Sequence, residues 1–288
     1  MAGFANVQAL ADAELAGRST YATWRKSPSQ VSTAGVWFDL SMSPGNPAPQ
    51  YYAAAPMVAK TLTQSNDGGL FHGGAVAPAS KHLKRITVLT TTATALPLPM
   101  ILCDYLLFYP FVDEGSTDEQ VMDNTLTLPR WTDGEGVQIM AVSVAGRTGG
   151  QTFRVTYTNS QGDTGRVTDT VIQNTAAANG NIVSSQNTDA SARGPFLPLQ
   201  AGDTGVRSIE SVQMISGPDV GLFSLVLVKP LGQAMIRGID APVEVNYFTD
   251  FGQLPQIADD AYLNFLCLPQ GSLAATAIHG DITTVWSN

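Results

Sequence analysis

The sequence predicts a mainly all-β protein: an antiparallel β-sandwich, jelly-roll-like, with a short N-terminal helical arm. Three observations support this fold class. Segments of strand-like alternation recur along the chain, turn signals of Gly, Pro, Asn and Asp separate them, and a single segment has convincing helical periodicity. At 288 residues with 44% hydrophobic residues, the chain can bury a substantial core. We expect an arm and tether over residues 1–30 and a sandwich body over residues 31–288, with a hairpin-rich part over residues 136–230.

The predicted helix covers Phe4–Leu15. Its apolar side chains recur at helical spacing, and Gly17 is a suitable residue to end it. A helix of this length is marginal on its own, so it has to dock on the body or on a neighbouring molecule. The polar segment after it, residues 19–30, is interpreted as an irregular tether. The candidate assembly arm consists of Phe4, Val7, Leu10, Leu15, Trp24, Arg25 and Lys26.

A proline-rich loop follows the first strand of the body, which is predicted over Gly35–Leu40. Closely spaced prolines stiffen a chain and remove backbone donors, so this segment is expected to be exposed. A rigid spacer is the favoured interpretation, and a ligand-binding loop is the alternative. The candidate exposed loop consists of Pro44, Asn46, Pro47, Pro49, Tyr51 and Tyr52.

The most apolar stretch is Pro97–Pro110, and the rest of the chain is expected to be organised around it. It is too short to cross a bilayer as a helix, which needs about 20 residues. Its flanking prolines also disfavour a long helix. The stretch is therefore predicted to be a fully buried strand or strand pair, preceded by a β-branched strand over Lys84–Thr94.

The second half of the chain is predicted to form consecutive hairpins. Before them, the acid-rich segment Asp113–Asp123 is interpreted as a solvated loop or helical turn, because its spacing does not match an EF-hand loop. The predicted hairpins pair Val137–Val144 with Thr152–Thr158, Thr152–Thr158 with Arg166–Ile172, and Ser208–Ile215 with Leu222–Lys229. The last predicted strands are Val243–Thr249, Tyr262–Leu268 and Asp281–Trp286.

The composition excludes several function classes. A net charge of −9 disfavours a nucleic-acid binder, and the three histidines lack metal-ligand spacing. No nucleophile or phosphate-binding motif is present, so we expect neither an enzyme nor a cofactor. Asp163 and Asp203, in two Gly-Asp-Thr-Gly turns, are more simply explained as turn formers than as cation ligands.

The cysteine and targeting signals favour an intracellular origin. Cys103 and Cys267 lie in apolar runs and are interpreted as buried free thiols, although a disulfide between them remains an alternative. The N-terminus lacks the basic start and apolar core of a signal peptide, and no transmembrane run follows. Synthesis in a cytoplasm is therefore expected.

Three stretches resemble a family of structural proteins from the virions of tailed double-stranded-DNA bacteriophages. They are TWRKSPSQVSTAGVWFDLSMSPGNPAPQYYA (Thr23–Ala53), LPMILCDYLLFYPFVDEGSTDEQVMDNTLTLPRWTDGEGV (Leu98–Val137) and YLNFLCLPQGSLAATAIHGDITTVW (Tyr262–Trp286). The resemblance implies a particle component made in the host bacterial cytoplasm and located in the virion. It carries over no catalytic residues.

Within a virion, a capsid decoration, cement or minor capsid protein is the favoured hypothesis. Its partners would be the major capsid protein and copies of itself, with a trimer expected, and neither nucleic acid nor membrane. The alternative hypothesis is a tail, collar or fibre component that binds host-surface glycan through the loop over Pro44–Tyr52.

Overall fold

The computed structural model describes residues 3–185, 194–217 and 219–287. The fold is mainly β, with 40% strand and 8% helix. The helical elements are α1 (Val7–Leu15), the 3-10 turn η1 (Leu40–Met42), α2 (Gln64–Asp67) and α3 (Tyr247–Phe251). The strands are β1 (Ser19–Lys26), β2 (Phe38–Asp39), β3 (Gly45–Asn46), β4 (Lys60–Thr61), β5 (Lys81–Thr90), β6 (Leu98–Asp113), β7 (Gln120–Val121), β8 (Gln138–Ser143), β9 (Thr152–Asn159), β10 (Arg166–Val167), β11 (Val171–Ile172), β12 (Val206–Met214), β13 (Leu222–Ile236), β14 (Val243–Asn246), β15 (Gln256–Ile257), β16 (Tyr262–Cys267) and β17 (Ile278–Trp286).

These strands form three antiparallel sheets. The terminal sheet has the order β14-β5-β17-β1-β3, with β15 also paired to β5. The central sheet has the order β2-β16-β6-β13-β8, with β4 also paired to β6, and the third sheet has the order β10-β9-β12-β7, with β11 paired to β9. Every pairing between the named strands is antiparallel. The predicted antiparallel β-sandwich with a short N-terminal helix is confirmed.

The central sheet is one layer of the sandwich, and the other two sheets share the opposing layer. Two residues on opposite faces of β16 show this arrangement. Phe265 belongs to the core against the terminal sheet, whereas Tyr262 belongs to a core that loops cover from the other side. Likewise, Ile139 of β8 faces the third sheet, whereas Met140 faces the loop-covered side. The terminal and third sheets therefore pack side by side on the same face of the central sheet.

Strand β6 spans both halves of this arrangement. It confirms the strand predicted over Pro97–Pro110, with Pro97 itself exposed and outside it. Its first half, including Met100 and Leu102, packs against the terminal sheet, and its second half, including Leu106 and Tyr109, packs against the third sheet. It is 16 residues long and pairs along its length with β13. Because both faces are covered, the strand is an almost continuous apolar run.

A buried ion pair lies where β6 passes from one half to the other. Asp104, between the two halves, accepts from Nε and Nη2 of Arg130 at 3.0 and 2.7 Å and from the indole nitrogen of Trp131 at 2.9 Å. Arg130 also donates to the backbone oxygens of Leu62 and Tyr105. The side chains of Asp104 and Arg130 are 0% and 7% exposed. Each charge has therefore lost most of its hydration, and the other charge compensates for that loss.

Helix α1 ends at Leu15 as the sequence predicts, but it begins at Val7 rather than at Phe4. The Asn6 side chain accepts from the Ala9 amide at 2.9 Å, which caps the N-terminus. Gly17, at φ +71°, donates to Glu14, and the next amide donates to Ala13, which is a Schellman ending. No helix in the described ranges is long and apolar enough to span a membrane.

The tether interpretation of residues 19–30 is wrong for most of its length. Ser19–Lys26 is β1, paired on one side with β17 and on the other with β3. Its side chains alternate, with Trp24 and Lys26 pointing into the fold and Tyr21 and Arg25 exposed. This segment is therefore a paired strand of the terminal sheet, next to β17, and not an irregular tether.

Two of the three predicted hairpins are also wrong. β8 pairs with β13 rather than with β9, and β12 pairs with β9 and β7 rather than with β13. Only the pairing of β9 with β10 and β11 is confirmed. Local alternation predicts where strands occur. It does not predict which strands pair, because β13 takes its partners from its place between β6 and β8 in the central sheet.

Three smaller differences have local causes. The strand predicted over Gly35–Leu40 is limited to β2, because the Asp39 carboxylate accepts from the Ser41 amide and caps η1. The strand predicted over Val243–Thr249 ends at Asn246, whose side chain caps α3. In the acid-rich segment, Glu114 is buried rather than solvated, and its partner is Arg147 at 3.0 Å.

Replacing Arg130 with Met should leave the Asp104 carboxylate buried without its cation. We expect R130M to lower the free energy of unfolding by about 3–5 kcal/mol, because breaking a buried pair strands the remaining charge. Urea denaturation followed by tryptophan fluorescence measures this. The matched control is R154M, since Arg154 is exposed and its side chain donates to Gln213 at 2.9 Å, and its cost should stay within about 0.5 kcal/mol. Equal costs for the two variants would contradict a structural role for the pair.

Candidate interaction surfaces

The structure separates the predicted arm residues into buried and exposed sets. Leu10 packs with Ala13 against Val285 of β17, so α1 docks on the chain's own body. Phe4 is half-buried beside the His82 ring, with centroids 5.6 Å apart. The buried set is Leu10, Trp24 and Lys26, and the exposed set is Val7, Leu15 and Arg25.

An apolar stripe remains uncovered on α1. Val7, Ala11 and Leu15 recur at every fourth position and therefore lie on one line of the helix. All three are exposed, with Val7 at 61% and Leu15 at 86%. The body covers the neighbouring line of Leu10 and Ala13 but not this one. We call Val7, Ala11 and Leu15 the α1 stripe.

The proline-rich loop is held to the body by a buried lysine. The Lys26 ammonium donates to the backbone oxygens of Ser43 and Pro47 at 3.0 and 2.8 Å. Burial lowers its pKa to about 8, against an opposing contribution from the Asp39 carboxylate. Gly45 of β3 has φ +142°, and a Cβ there would collide with the Arg25 carbonyl oxygen, so this close pairing requires glycine.

The loop offers fewer exposed side chains than predicted. Pro44, Asn46 and Tyr51 are exposed, Pro49 is half-buried and Pro47 is buried. The prediction that Tyr52 is exposed is wrong.

Tyr52 is fully buried, with its ring against Phe108 and its hydroxyl against the Asp39 carboxylate. The hydroxyls of Tyr52 and Tyr105 donate to Asp39 at 2.5 and 2.7 Å, and Ser41 donates through both its amide and its hydroxyl. Burial raises the pKa of Asp39, while these hydrogen bonds oppose the shift. The cluster packs the loop against the central sheet and leaves Tyr51, at 58% exposed, as its single outward aromatic ring.

Buried His72 and Lys81 form a hydrogen-bonded chain with the half-buried Asp259. Lys81 Nζ lies 3.1 Å from His72 Nδ1 and 3.5 Å from an Asp259 oxygen, and His72 Nε2 donates to the Ala261 oxygen at 2.9 Å. His72 and Lys81 are each 1% exposed. The arrangement ties the segment before β5 to the segment before β16.

The two Gly-Asp-Thr-Gly turns meet through Asn159. Its side-chain amide donates to Asp163 at 3.2 Å and to Asp203 at 2.8 Å, while Arg166 neutralises Asp203 at 3.0 Å. Within the described ranges, no group of three His, Cys, Asp or Glu side chains could hold a metal ion. Both cysteines are free and buried, as interpreted from their apolar surroundings.

An apolar groove of about 650 Å³ opens beside the first half of β6. Its walls include Trp37, Ile101, Met235 and Phe251, and the last two are 39% and 49% exposed. The groove shows that the body, like α1, leaves large apolar side chains in solvent.

A polar hollow of about 310 Å³ lies between the end of α1 and the outer face of the terminal sheet. We call it the α1–sheet hollow. It is lined by Glu14, Tyr21, Lys84, Arg85, Asn246 and Thr283. None of these six was singled out as a candidate from the sequence. The alternation of Ser19–Lys26, with aromatic and β-branched residues, is the signal that could have placed Tyr21 on an outward strand face.

Comparisons with known proteins give little further information. No protein-family profile matches the chain, and no curated protein matches it. Among solved structures, the VP2 subviral particle of infectious bursal disease virus is 11% identical, with a TM-score of 0.18 over 94% of this chain and 81% of that chain. The Gt strain structure of that virus is 8% identical, with a TM-score of 0.21 over 93% of this chain and 78% of that chain. TM-scores this low carry no argument about fold or function.

The buried His72 should make stability sensitive to acid. Desolvation first, and then the Lys81 ammonium, lower its pKa from 6.5 to about 4. As the pH falls through 6.5, the unfolded chain binds a proton that the folded chain does not bind until about pH 4, so stability falls across this window. The shift corresponds to about 3 kcal/mol.

We expect H72Q to flatten this dependence, because a glutamine side chain does not titrate. Urea midpoints measured from pH 7 to pH 4 for both proteins give the difference. The wild-type midpoint should fall more steeply between pH 6.5 and pH 4 than that of the variant. Parallel profiles would show that the folded chain protonates His72 as readily as the unfolded chain does.

Proposed function

We propose that the protein is a non-enzymatic structural component of a bacteriophage virion. In this role it acts as a capsid decoration, cement or minor capsid protein that stabilises the particle through contacts with the major capsid protein and with its own copies. The observation that carries the proposal is the α1 stripe, because a helix that has already docked on its own body still presents a line of apolar side chains to solvent.

The free energy that such a stripe contributes to a contact follows from the apolar area that the contact buries. Covering a side chain the size of Val7 or Leu15 stabilises a contact by about 1.5–3 kcal/mol. That is weak for one contact, but copies that are joined through a shell bind with a high effective concentration. A repeated, modest contact is therefore sufficient for a cement protein.

The fold also suits a part that transmits force between neighbours. The stripe is on a helix whose buried face contacts β17, and β17 lies between β5 and β1 in the terminal sheet. A load applied to α1 therefore passes into paired strands rather than into a tether. Low charge supports the same proposal, since only 14% of residues are charged, compared with about 25% in typical soluble domains.

The alternative based on the proline-rich loop has less support. A glycan-binding tail or fibre component would use Tyr51 and Tyr52 as a paired aromatic platform, but Tyr52 is buried against Asp39. The loop retains one exposed aromatic ring, and Lys26 fixes its backbone. We therefore retain the capsid hypothesis.

Placing charges on the stripe should reduce incorporation into particles. We expect the double variant V7E/L15E to fold normally, because both side chains are exposed, and to be at least about tenfold less abundant in purified particles when the protein is limiting. The measurement is the ratio of this chain to the major capsid protein, by quantitative mass spectrometry of purified virions.

The matched control is V220E. Val220 is 69% exposed and lies in the third-sheet half of the molecule, before β13, so it offers the same chemical change away from α1. The control should be incorporated like the wild type. Normal incorporation of V7E/L15E would eliminate the stripe as the contact surface, and absence of the wild-type chain from particles would eliminate the proposed function itself.

A further inference from the structure

We propose that the α1–sheet hollow is a binding site for a neutral saccharide. The inference concerns a surface that the proposed capsid contact does not use, and it does not depend on the protein's place in a particle. The hollow has a volume of about 310 Å³, at the lower end of the roughly 300–1,000 Å³ typical of small-molecule sites. This size suits one or two sugar rings.

Three residues that line the hollow have polar atoms without partners. Oε1 of Glu14, Nε of Arg85 and Oγ1 of Thr283 are all shielded from solvent and form no hydrogen bond with the described residues. Such atoms are uncommon in folded proteins, because each loses its hydration without compensation. All three belong to side chains around one hollow, where rotation of the side chain would bring each atom to a bound ligand or an ordered water.

The unpartnered groups include both donors and acceptors. The Glu14 carboxylate accepts, the Arg85 guanidinium donates, and the Thr283 hydroxyl can do either. The Asn246 side-chain oxygen already caps α3, which leaves its amide NH₂ group to donate to a ligand. A polyhydroxylated ring, whose every hydroxyl both donates and accepts, matches this mixture.

The charge balance disfavours an ionic ligand. Lys84 is neutralised by Glu14 at 2.9 Å, and Arg85 by Glu244 at 3.5 Å and Asp281 at 3.4 Å. An anion would have to compete with these carboxylates, and a cation would face both the ammonium and the guanidinium. A neutral ligand can use the same groups as hydrogen-bond partners without separating the ion pairs.

Tyr21 supplies an apolar platform beside these polar groups. It is 60% exposed on the outer side of β1, and no hydrogen bond engages its hydroxyl within the described part of the chain. A sugar ring has an apolar C–H face and polar edges, so it can lie on an aromatic ring while its hydroxyls reach the surrounding side chains. Glu14 and Arg85 are about one-third exposed, at 31% and 34%, so their side chains have room to rotate toward a ligand.

The test uses the full-length protein and defined sugars. We would screen a printed array of neutral mono- and oligosaccharides containing glucose, galactose, rhamnose and N-acetylglucosamine, then measure any hit by saturation-transfer NMR. We expect Y21A to weaken binding at least about tenfold, since it removes the platform, and T283V to weaken it through loss of one hydroxyl. Inorganic phosphate should not compete.

The matched control is Y51A, which removes an exposed aromatic ring of similar exposure from the proline-rich loop. It should bind like the wild type. Because T283V preserves β-branched shape at an unpartnered hydroxyl, it remains informative if Y21A folds poorly. No bound saccharide, binding lost in Y51A but kept in Y21A and T283V, or displacement by phosphate would each overturn the proposal. Particle incorporation of Y21A, measured separately, distinguishes failure of this site from failure of the structural role.

Discussion

The structure depends on one strand, β6, which is buried on both faces and packs against two other sheets. β6 pairs with β13 on one side, and with β16 and β4 on the other, so its backbone is satisfied within the central sheet. Its side chains must then pack against the terminal sheet at one end and the third sheet at the other. Asp104 lies at the change from one half to the other, and pairing with Arg130 makes a charge tolerable there.

Polar groups elsewhere in the interior have a related role. Asp39 accepts hydrogen bonds from hydroxyls of the loop and of β6, and Lys26 donates hydrogen bonds to backbone oxygens of the same loop. Each buried charge thus joins segments far apart in sequence, and each is surrounded by hydrogen-bond partners. Irregular segments are thereby fixed to the sheets, which supports the proposal that the molecule is a rigid part rather than a flexible adaptor.

The features predicted correctly from sequence are those that local pattern determines. The buried strand within Pro97–Pro110 and the ending of α1 at Gly17 follow from an apolar run and a capping residue. Strand partners could not be predicted in this way, because β8 and β13 are hydrogen-bonded neighbours in the central sheet although they lie far apart in sequence. Tyr51 and Tyr52 illustrate the same limit at the candidate site: they are adjacent and chemically identical, yet only Tyr52 has buried contacts with Asp39 and Phe108.

As proposed above, the protein would be a structural part of a virion that contacts its neighbours through α1. The most direct test is cryo-electron microscopy of purified particles, with this chain traced in the map. We expect many copies on the capsid, with Val7 and Leu15 covered by a neighbouring subunit. A chain that is absent from the particle, or present with α1 facing solvent in every copy, would contradict it.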